Sequence, residues 1–325
     1  MLAAAVAVSL VAVSFAALLG CTCQSEEPGD AASGGDQRQA PSSPESSQGP
    51  RALYLPDATA ELSSRDGLDL PARARRCPDD MVDVAGEFCI DRYESYLVDH
   101  DDERLLSPFY HPTRERTKSS YDYWKAPHPE DMPLLGARVM PAPDLPLPPP
   151  WQLRGSFRPR ALNRAGMRPQ GFMSGEAARI ACENAGKRLC REEEWVRACR
   201  GELDTAFPYG DSYEPGVCNV ARESHPAAIL HGNASTGHRD PRLNLVEDAA
   251  GPLLRSTGSL PGCASHWAED AIYDLVGNLD EWVDDETGVF VGGFFSRQTE
   301  AGCAARIGAH AFAYYDYSLG LRCCR

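Results

Sequence analysis

The chain is poor in positive charge. Its 32 Lys and Arg residues are outnumbered by 47 Asp and Glu residues, which gives a formal net charge of −15 at pH 7. Nucleic acids and anionic lipid headgroups are bound through clustered Lys and Arg side chains. The shortage of such side chains argues against nucleic acid or an anionic lipid surface as the partner.

Several catalytic signatures are also missing. No two cysteines have C-x-x-C spacing, and no Cys/His group has the spacing of a structural zinc site. The chain contains no G-x-S-x-G motif of the kind that carries the serine of α/β-hydrolases. Its eight histidines are scattered, so the sequence does not point to a histidine-centred catalytic site.

The first twenty residues are almost purely apolar and small. They end in LLGC at 18–21, which resembles a bacterial lipoprotein signal with lipidation at Cys21. The alternative is an uncleaved anchor helix, since the segment is just long enough to span a bilayer. Met1 is followed directly by apolar residues with no Lys or Arg among them, so the usual positive n-region is missing. Both interpretations attach the chain to a membrane and place the rest of it outside the cytoplasm, in the bacterial cell envelope.

Few large apolar side chains follow. Residues 24–50 are rich in Ser, Gly, Pro and acidic side chains, and such a segment cannot bury enough apolar surface to offset its ordering entropy. We therefore expect a signal peptide at 1–20, a disordered tether at 21–76 and one folded domain at 77–325.

Ten of the twelve cysteines lie in that domain. An even number of cysteines in an exported domain indicates a disulfide framework, so we expect five bridges. Apolar stretches at 81–84 and 88–91 flank a short turn and predict a β-hairpin. A Cys77–Cys89 bridge would close it.

Two helices are predicted further along the chain. Ser174 is a suitable N-cap for a helix whose apolar stripe includes Ile180 and which ends at Gly186. A second helix is expected at 192–200, without a Ser or Thr cap. The proline-rich run 141–150 supplies neither helix nor ladder hydrogen bonds.

An ordered set of sequence blocks fills the C-terminal half. The blocks are GKRLCREEEWVRACRG (186–201), IYDLVGNLDEWVDD (272–285), GGFF (292–295), CAAR (303–306) and GLRCC (320–324). In order and spacing they resemble the sulfatase-modifying factor family, which includes the formylglycine-generating enzymes. The resemblance implies an α+β, C-type-lectin-like fold that is irregular and disulfide-rich. It fades over 100–168, which we interpret as a divergent insertion.

The resemblance also implies disulfide pairs. In the family, the cysteine ending the first helix pairs with the one after the final G-x-R, and the cysteine ending the second helix pairs with that of C-A-A-R. Carried over, these pairs become Cys182–Cys323 and Cys199–Cys303. The other four cysteines have no family guide; Cys218–Cys263 and Cys190–Cys324 is the simplest assignment.

A calcium loop is implied by the same resemblance. The family's loop binds calcium through a side-chain oxygen, two carbonyl groups and a glutamate, at positions that match Asp274, Gly277, Leu279 and Glu281. Such oxygen ligands suit calcium. A second family site begins at a residue matching Asn219, but its distal Asp has no clear counterpart. An ordinary turn with Glu281 in a salt bridge is the alternative.

The family's catalytic thiols have no counterpart. Its enzymes hold Cu(I) with two cysteines between the positions of Gly293 and Cys303, where this chain has FFSRQTEAG. A Cu(I) site requires soft thiolates, so no copper is expected and a non-catalytic binding or scaffold role is favoured. Trp282, Phe294 and Phe295 would line the groove for a protein or peptide partner.

Two other functions stay open. An oxidoreductase acting on protein cysteine would need a relocated metal site, for instance a reduced Cys190 and Cys324 pair. An oxidising compartment favours a disulfide instead. Calcium-dependent glycan binding rests on fold analogy alone.

Overall fold

A computed structural model describes residues 76–126 and 142–325 of the chain. The described residues belong to one compact unit, Leu68–Arg325. The predicted signal peptide, the lipidation site at Cys21 and all but the last residue of the tether lie outside them. Over these two stretches, no helix combines the length and the apolar character needed to cross a bilayer.

The hairpin predicted at the start of the domain is present. Strands β1 (Met81–Val84) and β2 (Phe88–Asp91) pair in antiparallel register. The Asp83 carboxylate accepts a hydrogen bond from the amide of Gly86 at 2.8 Å, which closes the turn. Gly86 has φ +73°, a conformation that glycine adopts without steric cost.

Twelve further strands follow in the described residues. They are β3 (Ser95–Asp99), β4 (Pro159–Asn163), β5 (Arg188–Leu189), β6 (Glu247–Asp248), β7 (Gly251–Pro252), β8 (Ala264–Trp267), β9 (Asp270–Tyr273), β10 (Asp280–Trp282), β11 (Phe290–Val291), β12 (Arg306–Ile307), β13 (Leu319–Leu321) and β14 (Cys323–Cys324). One sheet has the order β1-β2-β14-β5 and another β12-β11-β10-β13. Because β10 and β13 pair in parallel, the block IYDLVGNLDEWVDD (272–285) lies beside the C-terminal block GLRCC (320–324).

The α-helices of the described residues are α1 (Arg114–Trp124), α2 (Pro150–Arg154), α3 (Gly175–Asn184), α4 (Glu192–Arg200) and α5 (Pro226–His231). Both predicted helices, α3 and α4, are present. The Ser174 hydroxyl accepts from the amide of Ala177 at 3.3 Å and caps α3. Ile180 is 49% exposed, so its predicted place in the buried stripe is wrong.

Helix α4 begins without a Ser or Thr cap, as expected. The Glu194 side chain reaches back and accepts from the backbone amide of Arg191 at 2.9 Å. This is one of the two hydrogen bonds of a capping box. The Arg191 guanidinium also bonds the Glu194 carboxylate at 2.8 Å, which holds that carboxylate over the first turn.

The described parts of 100–168, residues 100–126 and 142–168, pack into the domain. Strand β4 pairs antiparallel with β3 along its length, and α3 packs against β4. Helix α2 begins at Pro150, whose fixed φ and missing N–H suit the first helical position. The proline-rich run 141–150 was expected to supply no helix, and this is wrong for Pro150, the first residue of α2.

Five disulfides link the domain, and they are the five predicted pairs. They are Cys77–Cys89, Cys182–Cys323, Cys190–Cys324, Cys199–Cys303 and Cys218–Cys263. Three of them join residues more than 100 positions apart. Closing such long loops in the unfolded chain stabilises the fold by roughly 4 to 5 kcal/mol per bridge in the chain-entropy model.

Candidate functional site

A buried ion pair joins Asp280 of β10 to Arg297, in the segment between Gly293 and Cys303. The Arg297 guanidinium donates to the Asp280 carboxylate at 2.6 Å, and the amide of Gly293 donates to its other oxygen at 3.0 Å. The Asp280 side chain is 1% exposed and that of Arg297 25%. Strand β10 therefore presents a carboxylate to the segment that follows β11, and that segment folds over it.

Aromatic rings pack around this ion pair. The Phe294 ring meets Phe295 and Tyr317 edge to face, with centroid distances of 5.4 and 5.7 Å. The Arg297 guanidinium lies 5.2 Å from the Phe294 centroid. On the far side, Nε2 of His225 shares a hydrogen bond with the Tyr317 hydroxyl at 3.1 Å. The site is thus filled by rings and one ion pair.

Burial shifts the titration of these groups. It raises the pKa of Asp280 to about 7, against the lowering effect of Arg297. Burial and the neighbouring His238 lower the pKa of His225, and burial raises that of Tyr317. At neutral pH, His225 and Tyr317 are uncharged, and Asp280 is the group in this site that can exchange a proton.

The three aromatic residues predicted to line a groove are buried. Phe294 is 9% exposed, Trp282 1% and Phe295 0%. The Trp282 indole donates to the carbonyl of Met173 at 2.9 Å and packs in the core with Phe312. The prediction of an aromatic groove is therefore wrong, because these rings fill the interior.

Backbone hydrogen bonds join the Arg297 segment to residues 221–222. The amides of Ala221 and Arg222 donate to the carbonyls of Arg297 and Phe295 at 3.1 and 2.9 Å. The segment containing Ala221 and Arg222 also lines a cavity of about 450 Å³. Arg222 forms an ion pair with Asp248 in its wall.

An arginine occupies the centre of the predicted calcium loop. Nη2 and Nε of Arg322 donate to Oε1 of Glu281 at 2.9 and 3.1 Å, and Nε also lies 3.0 Å from Oε2. The Trp195 indole donates to Oε2 at 2.6 Å. Both carboxylate oxygens of Glu281 are therefore already bound to donors.

Two further carboxyl groups surround this pair. Oδ2 of Asp274 accepts from the amide of Gly258 at 2.6 Å, and Glu94 accepts from the amide of Leu279 at 3.1 Å. Burial raises the pKa of Asp274 to about 6 and raises that of Glu94 well above its ordinary value. The negative charge of Glu281 adds to both shifts.

Two of the remaining predicted ligands, Asn219 and Gly277, stabilise the conformation of the loop. Asn219 donates to the carbonyl of Leu253 at 2.8 Å and to the side chain of Asn278 at 2.9 Å. A Cβ on Gly277 would lie 2.3 Å from the carbonyl oxygen of Asn219, so this turn requires glycine. No three His, Cys, Asp or Glu side chains in 76–126 and 142–325 converge as metal ligands. Glu281 cannot serve as a calcium ligand while Arg322 and Trp195 hold both of its carboxylate oxygens.

Sequence reasoning missed the pair formed by Asp280 and Arg297. The available signal was the position of two carboxylates, Asp280 and Glu281, between the apolar residues Leu279 and Trp282. In the structure all four side chains are buried. Such a carboxylate requires a cation or a hydrogen-bond donor as its partner. The contact between His225 and Tyr317 had no signal, because it joins residues 92 positions apart.

The blocks, the α+β architecture and the disulfide framework together define a domain of the formylglycine-generating-enzyme type. The family model described as "Sulfatase-modifying factor enzyme 1-like domain" matches residues 72–325. The chain belongs to this family. The predicted family and fold class are confirmed.

Curated relatives match part of the domain. The formylglycine-generating enzymes of Mus musculus and Bos taurus are each 33% identical to the chain over 105 residues, which is 32% of this chain and 23% of theirs. The chain thus spans about a quarter of the length of these relatives. The solved "Major Tropism Determinant I1 Variant" is 11% identical, covering 77% of this chain and 53% of its own, with a TM-score of 0.38.

Proposed function

We propose that this protein is an exported lipoprotein whose domain binds or scaffolds a protein or peptide partner and does not generate formylglycine. One observation carries the proposal: all ten cysteines of the described residues form disulfides. A disulfide sulfur is not a thiolate, and the thiolate is the form that ligates Cu(I).

The site chemistry supports the same conclusion. The segment between Gly293 and Cys303 contributes Arg297 to an ion pair with Asp280, and hard oxygen ligands do not suit Cu(I). Cys190 and Cys324, the relocated thiol pair of the alternative oxidoreductase, are joined to each other and fully buried. Calcium-dependent glycan binding gains no support from a Glu281 that is held by Arg322.

The disulfide framework suggests an oxidising environment outside the cytoplasm. Lipid anchoring at Cys21 is part of the proposal and can be tested separately. Metabolic labelling with a fatty acid should mark the protein, and Cys21→Ser should abolish the label. Label that persists in Cys21→Ser would contradict this anchor.

The decisive experiment looks for the enzymatic product. Purified native protein is incubated with copper and a peptide containing C-x-P-x-R, and the peptide is examined for aldehyde by mass spectrometry. An active formylglycine-generating enzyme is the positive control. We expect no aldehyde. Aldehyde that disappears in the double variant Cys190→Ala, Cys324→Ala would establish the oxidoreductase alternative.

A count of free thiols directly tests the observation that all ten cysteines of the described residues form disulfides. With Cys21 lipidated and ten cysteines in bridges, Cys23 is the remaining thiol, so one reactive sulfhydryl per chain is expected in denaturant without reductant. The count should rise to eleven after reduction. Two additional thiols before reduction would contradict the proposal.

A further inference from the structure

A proline-rich segment lies directly before α2 on the surface of the domain. Its described residues 142–149 have the sequence APDLPLPP and belong to no helix or strand. The pyrrolidine ring fixes φ of each proline near −65°, and the residue before a proline is restricted to extended conformations. Asp144 is the one residue of 142–149 to which neither restriction applies. The covalent geometry of the segment therefore favours an extended chain.

This extended chain has the character of a polyproline II helix. Pro149 has φ −51° and ψ +135°, in the region of that conformation. A polyproline II helix has three residues per turn, so residues three apart lie on one face. The exposure follows this period: Asp144, Leu147 and Pro150 are exposed, and every residue between them is partly or fully buried. One ridge of three side chains therefore faces the solvent.

Contacts with the domain hold this ridge in place. The hydroxyl of the buried Tyr110 donates to the carbonyl of Pro146 at 2.6 Å. Pro148 is buried, and Ala142 packs against a buried apolar cluster. Because the segment is already ordered on the domain, a partner that binds the ridge does not have to order it first.

The ridge combines an apolar centre with a negative end. The Leu147 side chain is 77% exposed and stands between Pro146 and Pro148. Polyproline II segments dock into grooves lined with aromatic rings, which pack on their apolar side chains. Asp144 is exposed and forms no ion pair with the other described residues. Its carboxylate can therefore pair with an arginine or lysine of a partner.

We propose that the ridge formed by Asp144, Leu147 and Pro150 docks into a groove of a partner protein that is lined by aromatic rings and carries a basic side chain at one end. The net charge of −15 favours a partner with a basic surface, because electrostatic attraction then assists the encounter. This inference rests on the proposed function, since it names the kind of partner that a binding domain would take. The ridge shares no residue with the site of Asp280 and Arg297.

Photo-cross-linking of the full protein in the cell envelope tests the ridge. The cross-linker p-benzoylphenylalanine replaces Leu147 or, in the matched control, Leu203, which is 87% exposed but lies outside the segment. We expect a dominant adduct with a second protein from position 147 and no such adduct from position 203. Mass spectrometry then locates the cross-link in the partner, where we expect aromatic residues and a lysine or arginine.

Isothermal titration calorimetry of the captured and purified partner against the full protein measures the contribution of each side chain. Leu147→Ser should weaken binding about ten-fold or more, because it removes an apolar side chain from the groove. Asp144→Asn should weaken it about two- to five-fold and reduce its dependence on salt. Leu203→Ser is the control and should bind as the wild type does. All three side chains are exposed, so the thermal unfolding midpoints should not change.

The inference is overturned if no adduct forms at position 147, if the same adduct forms at position 203, or if Leu147→Ser binds as tightly as the wild type. An adduct with twice the mass of the chain would identify a second copy of this protein as the occupant and would also overturn it. Aldehyde in the peptide assay would overturn the non-catalytic role and leave the cross-linking result standing. Absence of the adduct would remove this docking segment without bearing on the peptide assay.

Discussion

Arg322 and Glu281 form an ion pair that is completely removed from solvent, with side-chain exposures of 0% and 1%. The same guanidinium donates to the carbonyls of Asp91 and Tyr273 at 2.9 and 2.8 Å. One side chain therefore ties the C-terminal block to β10, to the end of β2 and to β9. Its contacts describe a structural centre in the place where the family resemblance implies calcium.

Removing the cation should destabilise the domain strongly. Arg322→Met leaves Glu281 buried without its partner, which costs about 3 to 5 kcal/mol in the free energy of unfolding. Urea denaturation measures the loss. The control is Arg306→Met: Arg306 pairs with Glu192 with side chains 47% and 33% exposed, and such a pair contributes at most about 1 kcal/mol. Equal losses in the two variants would contradict the structural role of Arg322.

The disulfides should differ in what they contribute. Cys182–Cys323 joins residues 141 positions apart and Cys77–Cys89 joins residues 12 apart. Replacing the first pair by alanine should cost about 2 kcal/mol more than replacing the second, because closure entropy grows with the logarithm of loop length. Paired denaturation curves of the two double variants measure the difference. A larger loss from the Cys77 and Cys89 variant would contradict this account.

Stability should fall as pH rises towards neutrality. The pKa of Asp280 is about 7 in the folded domain and about 4 when unfolded, so the folded state binds more protons between these values. The free energy of unfolding therefore falls as pH rises through this window, by up to about 1.4 kcal/mol per pH unit for one group. Asp280→Asn cannot titrate and should flatten the slope measured by urea denaturation at pH 5, 6 and 7.

Part of the slope should remain in Asp280→Asn, because burial also raises the pKa of Asp91 and of Asp274 to about 6. The control is Asp101→Asn, at an exposed carboxyl whose pKa the hydrogen bond from Arg158 lowers. That group titrates below the window, so the control should keep the wild-type slope. An unchanged slope in Asp280→Asn would show that Asp280 does not carry a raised pKa.

Calcium should not change thermal stability. Arg322 and Trp195 already bind both oxygens of Glu281, so adding calcium or a chelator should leave the unfolding midpoint in place. A ligand at one hundred times its dissociation constant would add about 2.7 kcal/mol, which calorimetry detects easily. A calcium-dependent rise that is absent in Glu281→Gln would restore the calcium loop.

Local patterns predicted those parts of the fold that local contacts stabilise. The Ser174 cap and the turn at Gly86 are made by hydrogen bonds between residues three apart, so neighbouring residue types reveal them. The family resemblance supplied two long-range bridges, such as Cys182–Cys323, that no local pattern contains. Strand β4 had no such signal, because it forms through pairing with β3, about sixty residues earlier in the chain. Helix α2 was also not predicted.

The sequence alone established the family, the cysteine framework and the lack of thiols between Gly293 and Cys303. The tertiary structure decided which side chains are buried and what they contact there: Trp282 in the core, Arg322 on Glu281, and Arg297 on Asp280. The sequence does not show whether an aromatic ring beside a loop lines a groove or packs in the interior. It also does not show whether a carboxylate coordinates calcium or pairs with arginine. That choice depends on groups from distant parts of the chain, and only the folded chain brings them together.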